Sequence, residues 1–284
     1  MKLIFIAILI LASISIASAM GNRTSLAPMR PNIELKIESG ETLRYKIEDS
    51  GDAGGEFKFI LILTNISGRQ FAEIFHDGIS YAKKEHYPDS MTNYLARFRI
   101  STSDGVLEES GYGEKGARTN APPFGEKIKE KTIYWKSVLN RSSSIIFREI
   151  RTWDGMKVSA RKDKIPVKPG YPILDLGSGM IEGIRFLDIK KPGIAYFVVP
   201  EIIKEPLPLS FRIIGREKIV TPAGTFDTIK IGFLIADSFL ERLMQKFTQE
   251  TVLWIEDSDR RLVIKMKNPM NNFILEEIGH TGSE

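Results

Sequence analysis

Apolar and polar side chains alternate along many short segments of the chain, and this alternation constrains the fold more than any other feature of the sequence. The clearest segments are residues 43–47, 57–63, 94–100, 145–150, 209–213 and 229–235. Successive side chains of a β-strand point to opposite faces of a sheet, so a period of two indicates half-buried strands. The alternation therefore predicts a β-rich fold.

Turn signals separate these segments. Asp-Gly dipeptides at 77–78, 104–105 and 154–155 are suited to tight hairpins, because glycine tolerates positive φ and aspartate tolerates it better than most residues. Residues 221–225 and the acidic stretch 256–260 each separate two apolar segments and predict further reversals. Parallel strands need long crossovers, so closely spaced hairpins predict antiparallel pairing.

Two segments have helical spacing instead. Ser238 and Glu241 form a capping-box pattern ahead of an apolar stripe at 240, 243, 244 and 247. A second stripe begins near Ser178, continues through 181, 184 and 187, and ends at residues 190–193. We therefore predict an all-β or β-dominated α+β fold, a mainly antiparallel curved sheet or open barrel with two short helices.

Glycine, proline and charged residues dominate two further stretches, 111–131 and 166–179, which we expect to be long loops. The alternation continues on both sides of these stretches. We therefore expect one β-rich domain over residues 20–284, with the alternative of two halves that meet near residue 175.

The first nineteen residues have the layout of a secretory signal peptide. Lys2 precedes an uncharged run over residues 3–16, and Ala17-Ser18-Ala19 supplies the small residues of a cleavage site. We expect cleavage after Ala19 and export to the periplasm or the extracellular space; the alternative is a retained membrane anchor. No second apolar run approaches 20 residues, so we expect the mature form not to span a membrane.

Charge and cysteine content exclude several classes of function. Forty Lys and Arg residues face 36 Asp and Glu residues, and no cluster of basic residues is visible, so nucleic acid is not an expected partner. The chain has no cysteine, which excludes thiol nucleophiles, disulfides and Cys-ligated metal centres. No cofactor is expected.

The C-terminal part resembles a known family. Residues 215–227 (GREKIVTPAGTFD), 251–257 (TVLWIED) and 260–263 (RRLV), with 184–185 and 190–193 upstream, are similar to the domain-of-unknown-function family 3108, a group of exported bacterial proteins. The resemblance covers about residues 178–278. It implies a curved antiparallel β architecture and brings no catalytic residue. Within it, Pro222, Gly224 and Phe226 suit a turn followed by a core aromatic, so we interpret them as fold determinants.

Ligand-type side chains form one sequence cluster, His76-Asp77 with Glu85-His86 and Asp89. Their spacing matches no metal motif, and we interpret them as exposed polar residues around a turn. Residues 177–179 do not make a nucleophile elbow. We therefore predict no catalytic residue, no metal site and no enzymatic activity.

The aromatic content favours a binding function. A curved sheet covered incompletely by a helix leaves an apolar groove for a lipid, a hydrophobic peptide or another envelope component. The candidate groove residues are Ile181, Ile184, Phe186, Leu240, Met244, Phe247 and Trp254. The simpler alternative is that the aromatic side chains fill the core. A competing function is a structural or assembly protein that docks on an envelope protein through a sheet edge, and the least favoured is a hydrolase of envelope polymers.

Overall fold

A computed structural model of the protein describes residues 27–32, 34–48, 53–82, 91–118, 129–153, 157–175, 178–198, 206–235, 251–267 and 272–281. The strands of these residues form one large curved sheet, and the two strands at its ends are not hydrogen-bonded to each other. No helix within these ranges is both long enough and apolar enough to cross a bilayer.

The described ranges contain fifteen strands. They are β1 (Glu41–Glu48), β2 (Ala53–Ile66), β3 (Arg69–Ala82), β4 (Met91–Ser101), β5 (Leu107–Arg118), β6 (Lys129–Asn140), β7 (Ile145–Trp153), β8 (Val158–Pro166), β9 (Ile173–Asp175), β10 (Gly193–Val198), β11 (Leu207–Thr221), β12 (Gly224–Ile235), β13 (Thr251–Glu256), β14 (Val263–Lys267) and β15 (Asn272–His280). Their order in the sheet is β8-β7-β6-β5-β4-β3-β2-β1-β15-β14-β13-β12-β11-β10-β9. The β9–β10 pair is parallel, whereas every other neighbouring pair is antiparallel. The predicted fold class is confirmed.

Hairpins account for most of this order. The predicted turns at 104–105, 221–225 and 256–260 each connect consecutive paired strands, the second of them through residues 222–223. The dipeptide at 154–155 and the predicted helix over 238–247 lie outside the described residues. The predicted helix near Ser178 is α1 (Ser178–Gly183), which continues into a 3₁₀ turn (Ile184–Phe186).

The prediction of a hairpin at Asp77-Gly78 is wrong, because both residues lie inside β3. Gly78 is needed there for packing: a Cβ at this position would lie 2.1 Å from Phe57 Cδ1 of the neighbouring strand. The long loop predicted over 111–131 is also partly wrong. Its first residues, including Gly111 and Gly113, belong to β5, and residues 119–128 lie outside the described part of the chain.

One face of the sheet, which we call the inner face, carries the hydrophobic core. Leu43, Phe59 and Ile74 on the first three strands share this core with Ile231 of β12 and Leu253 of β13. The outer face of strands β3 to β6 carries charge pairs instead. The network of Arg97, Glu73, Arg99, Glu109 and Lys136, with N···O distances of 2.5–3.0 Å, is typical of a solvated sheet surface.

The two edge strands of the sheet approach each other through side chains. Ile173 of edge strand β9 packs in one buried cluster with Ile165 of edge strand β8 and Ile146 of β7, and Leu139 and Val167 border the cluster. We call this cluster the seam. Because β8 and β9 stand at opposite ends of the strand order, the seam requires the sheet to curl until its ends meet.

The chain between β9 and β10 enters the space that the curled sheet surrounds. We call residues 178–187 the plug. Ile181, Ile184 and Phe186 of the plug are each at most 2% exposed and belong to the main core. Gly105, at φ +65°, lets the β4–β5 turn approach the plug, because a Cβ there would lie 2.7 Å from the Phe186 carbonyl oxygen. The residues before β1 pair with the same region: Asn32 N donates to the Phe186 carbonyl oxygen at 2.8 Å.

A buried charge cluster holds the plug. The Arg185 side chain has no exposed surface, and its Nη1 donates to Glu41 Oε1 at 2.7 Å and to Glu182 Oε2 at 2.6 Å. Its Nε donates to the Arg260 carbonyl oxygen at 3.2 Å. Burial raises the pKa of Glu182, and the charge of Arg185 opposes that shift without cancelling it. Arg185 thus links the plug to β1 and to the β13–β14 turn.

Replacement of Arg185 by methionine should be severely destabilising, because it leaves two carboxyl groups buried without their cation. We expect Arg185→Met to lower the free energy of unfolding by about 3–5 kcal/mol. Glu182→Gln keeps the Glu41–Arg185 pair and should cost about 1 kcal/mol or less. Urea unfolding of both variants measures the difference, and equal costs for the two would contradict this role of Arg185.

Candidate functional site

The three groove candidates of the plug face the core. Ile181, Ile184 and Phe186 lie where the sequence predicts a short helix, but the stripe packs against the inner face and presents almost no surface to solvent. A ligand at these positions would have to displace the plug. The other helical candidates, Leu240, Met244 and Phe247, lie outside the described residues.

Trp254 lies on the outer face. Its neighbours Leu253 and Ile255 point into the core, so the strand alternation directs the indole to the opposite side. Trp254 Nε1 donates to Glu217 Oε1 at 2.5 Å. The ammonium groups of Lys230 and Lys265 lie 4.9 and 5.4 Å from its ring, one on each neighbouring strand. Trp254 therefore stabilises a charged outer surface and lies apart from the inner face.

The turn motif is placed as a fold element. β11 ends at Thr221 and β12 begins at Gly224, whose φ of +139° suits a glycine. Thr221 Oγ1 accepts a hydrogen bond from the Ala223 N–H at 3.2 Å. The ring of Phe226 is buried in the core, two residues after the turn glycine.

A row of rings crosses the inner face from β6 to β1. Neighbouring ring centres lie 4.7–6.2 Å apart, and the rings in order are Trp135, Tyr112, Tyr94, Phe57, His76, Phe59 and Tyr45. The end members are buried, whereas Phe57, Tyr94 and Tyr112 are half-buried. These aromatic side chains pack against one another across strands, as the core-filling alternative predicts.

His76 belongs to this row, and its interpretation as an exposed turn residue is wrong. Its side chain is 2% exposed and lies between Phe57 and Phe59, and neither ring nitrogen has a hydrogen-bond partner in the described part of the chain. Burial lowers the pKa of His76 to about 3. Glu85, His86 and Asp89 lie outside the described residues, and within the described ranges no group of three or more His, Asp or Glu side chains could hold a metal ion.

The outer face carries a polar depression of about 650 Å³ across β15, β1, β2 and β3. Its lining includes Arg44, Glu56, Lys58 and Asp77, and Arg44 is paired with Glu277. Positive and negative groups are both present on this surface. The depression therefore suits solvent better than an apolar ligand.

A second cavity, of about 330 Å³, opens where the seam ends; we call it the seam pocket. Turns and loops around the seam line it, together with the segment before β1. Its apolar side chains are Met29, Pro31, Val106, Leu139, Val167, Pro169, Pro172 and Ile173. Asp104, Arg141, Ser144, Lys168, Gly170 and Tyr171 complete the lining. Its volume lies at the small end of the range for ligand pockets, roughly 300–1,000 Å³.

Arg141 and Lys168 are the two cations of the seam pocket, and both are exposed to solvent, so we call their side of the pocket its mouth. They differ in their partners. Arg141 Nη1 pairs with Asp104 Oδ2 at 2.6 Å, and its Nε pairs with Glu108 Oε1 at 2.7 Å. Burial alone would raise the pKa of Asp104, but the hydrogen bond from Arg141 holds it below its ordinary value. Lys168 Nζ instead lies 3.3 Å from Tyr171 Oη and 4.6 Å from the centre of that ring.

The seam pocket shares Leu139 and Ile173 with a second, small space of about 10 Å³. Ser110 and Ser137 line this space, and no residue that the structure describes forms a hydrogen bond with their buried hydroxyl groups. A space of this size holds about one water molecule. The lining of the seam pocket thus combines charged groups with apolar walls, and two of its apolar residues, Leu139 and Ile173, also line a small space with two buried hydroxyl groups.

Sequence reasoning missed the seam pocket. Part of its lining comes from stretches that the sequence indicates only as a turn or a loop, residues 104–105 and 166–173, and these meet residues 29–31 and 139–144 through long-range packing. One available signal was Tyr171 between Pro169 and Pro172, a bulky ring in a stiff loop.

No family model and no curated protein matches the sequence. Among solved structures, a β-barrel-like protein of the domain of unknown function DUF1849 from Brucella abortus is 7% identical, with a TM-score of 0.49, covering 90% of this chain and 99% of that chain. A protein from Parabacteroides distasonis is 11% identical, with a TM-score of 0.29, covering 89% and 99%. A Bacteroides fragilis protein with a YmcC-like fold is 9% identical, with a TM-score of 0.27, covering 89% and 99%. The resemblance to family 3108 stays a prediction.

The burial of His76 makes the free energy of unfolding depend on pH. Because its pKa in the folded protein is about 3, against about 6.5 in an unfolded chain, the unfolded state binds more protons below pH 6.5. This contribution to stability is full above that pH and falls by about 2 kcal/mol by pH 5. His76→Phe keeps an aromatic ring in the row and removes the titration.

Urea unfolding at pH 7 and pH 5 measures the effect. The wild-type protein should lose about 2 kcal/mol more than His76→Phe between these pH values. The matched control His280→Gln, at an exposed position, should retain the wild-type loss. Equal losses in the wild type and His76→Phe would show that the imidazole is not buried as described.

Proposed function

We propose that the protein is exported and binds a hydrophobic ligand without transforming it, at the seam pocket. The observation that carries this proposal is an open pocket of about 330 Å³ whose walls are mainly apolar. Apolar walls with a few polar groups are the usual lining of small-molecule sites. A hydrophobic ligand is also what the sequence favours, but the ligand would bind at the seam and not at Ile181, Ile184 and Phe186, which are buried in the core.

Backbone hydrogen bonds support a pocket that is formed before the ligand binds. Val167 N donates to the Ser144 carbonyl oxygen at 2.9 Å, which ties the loop after β8 to the turn before β7. Met29 N donates to the Ile194 carbonyl oxygen at 3.0 Å, which fixes the segment before β1. Preformed walls reduce the ordering that a ligand has to impose when it binds.

The titratable groups at the mouth support binding rather than catalysis. Asp104 is engaged by Arg141 at 2.6 Å, so its carboxylate is held in an ion pair. The hydroxyls of Ser110 and Ser137 have no base within hydrogen-bond distance among the described residues. A hydroxyl nucleophile needs such a base. The leader-like residues 1–19 are the basis for proposing export.

Sheet-edge docking remains the second candidate, because β8 is a nine-residue edge strand whose residues are mostly exposed. Arg161, Lys162 and Lys164 lie along it. Such charges commonly keep an edge strand from pairing with another chain. A partner that docks there would cross-link to residues of β8 and leave the seam pocket accessible.

Filling the seam pocket should abolish ligand binding. Nile red, a neutral apolar dye, should bind the wild-type protein saturably, and Val167→Trp should weaken its binding at least tenfold because the indole occupies the pocket. The control Val220→Trp places the same side chain at a position that is 75% exposed on β11 and should bind Nile red like the wild type.

Fluorescence titration measures these affinities. If Val167→Trp does not fold, Val106→Phe fills the same pocket from another wall. The proposal fails if the wild-type protein binds Nile red without saturation, or if folded variants with a filled pocket bind it as tightly as the wild type.

A further inference from the structure

Among the described residues, Lys168 is the cation of the seam pocket that has no carboxylate partner. Arg141, Asp104, Glu108 and Arg69 form a chain of ion pairs at 2.6–2.7 Å, in which two positive and two negative charges cancel. Across the described ranges, no carboxylate oxygen lies within 4 Å of Lys168 Nζ, whose contacts are with Tyr171. The lining of the pocket therefore carries one positive charge in excess, at its mouth.

Tyr171 places that charge. The ammonium group lies 4.6 Å from the centre of the ring and 3.3 Å from its hydroxyl oxygen. Gly170, at φ +79°, turns the chain between the two residues. The lysine thereby loses part of its conformational freedom before any ligand arrives, which reduces the entropy cost of pairing with one.

We infer that the ligand of the seam pocket is a single-chain amphiphile with an anionic head, whose head pairs with Lys168 while its chain occupies the apolar walls. This inference rests on the proposed function and names the chemical class of its ligand. Apolar side chains such as Met29 and Leu139 face the chain, and the uncompensated ammonium group faces the head. A volume of about 330 Å³ suits one chain better than two.

The small space beside the seam pocket is a poor place for the head. The space beside Ser110 and Ser137 is about 10 Å³ and holds a water molecule at most. An anion there would lose its hydration without a counter-charge among the residues that line the space, which include Glu108 and Glu109. The mouth offers Lys168 and solvent together, so the orientation with the head outward is the favoured one.

Decanoate and decanol share a chain and differ in the head, and they test the assignment directly. Decanoate is used below its micelle concentration and decanol below its solubility limit, both at pH 8, to displace Nile red from the full-length protein. We expect decanoate to bind about fivefold to tenfold more tightly than decanol, a gain typical of one partly exposed charge pair. Decyl phosphate should behave like decanoate, whereas inorganic phosphate, which lacks the chain, should displace no dye.

Lys168→Gln should remove this preference. It should weaken decanoate and decyl phosphate about fivefold to tenfold and change decanol less than twofold. The control Lys162→Gln, at an exposed lysine of β8, should leave all affinities unchanged. An increase in salt from about 50 to 500 mM should reduce the wild-type preference and leave decanol binding unchanged, because an exposed charge pair is screened.

The inference is overturned if decanol binds the wild type as tightly as decanoate, or if Lys168→Gln weakens both compounds equally. In either case the saturable binding of Nile red still supports a ligand in the seam pocket, and only the assignment of an anionic head to that ligand fails. If neither compound displaces the dye from the wild type, the proposed function fails together with the inference. Tighter binding of decyl phosphate than of decanoate would identify a phosphate head, and the reverse order would identify a carboxylate.

Discussion

Side chains from the two edge strands of the sheet meet at the seam, and the shape of the protein depends on this contact. Ile165 and Ile173 lie on strands at opposite ends of the strand order, and Ile146 of β7 belongs to the same buried cluster. Burial of an isoleucine side chain contributes about 1.5–3 kcal/mol. In a closed barrel, backbone hydrogen bonds between the first and last strands would join the ends of the sheet, whereas here apolar side chains join them. Side-chain packing holds the ends farther apart than hydrogen bonds would, and the seam pocket lies between the loops at this point.

The plug fills the space that the curled sheet surrounds, which would otherwise be an empty cavity. Apolar residues such as Ile184 fill the interior, but the plug also carries Arg185 into a region without water. That charge is acceptable because Glu41 and Glu182 accept its hydrogen bonds. The arrangement is specific as well as stabilising, because any shift of the plug along β1 would break these bonds. The plug therefore fills the interior of the curled sheet, and the space for a ligand lies at the seam.

Local features of the fold were predictable, whereas features that depend on distant contacts were not. Alternation predicts most of the strands because one face of each is buried. The hairpin predicted at Asp77-Gly78 fails because the glycine serves a contact with Phe57, which the sequence does not reveal. Alternation with Ala72 and Ile74 could have placed His76 on the inner face. Trp254 was harder, because its neighbours Leu253 and Ile255 are also apolar and give no alternation. The seam pocket joins four separated segments, and no local pattern predicts their meeting.

Contact between the two edge strands is the central claim, and methyl NMR tests it most directly. In protein labelled at isoleucine methyl groups, we predict nuclear Overhauser effects between Ile173 and at least one of Ile146 and Ile165. Assignment by single Ile→Val substitutions identifies the signals. Cross-peaks that connect Ile165 to Ile146 within the β7–β8 pair, without any from Ile173 to either residue, would contradict the account.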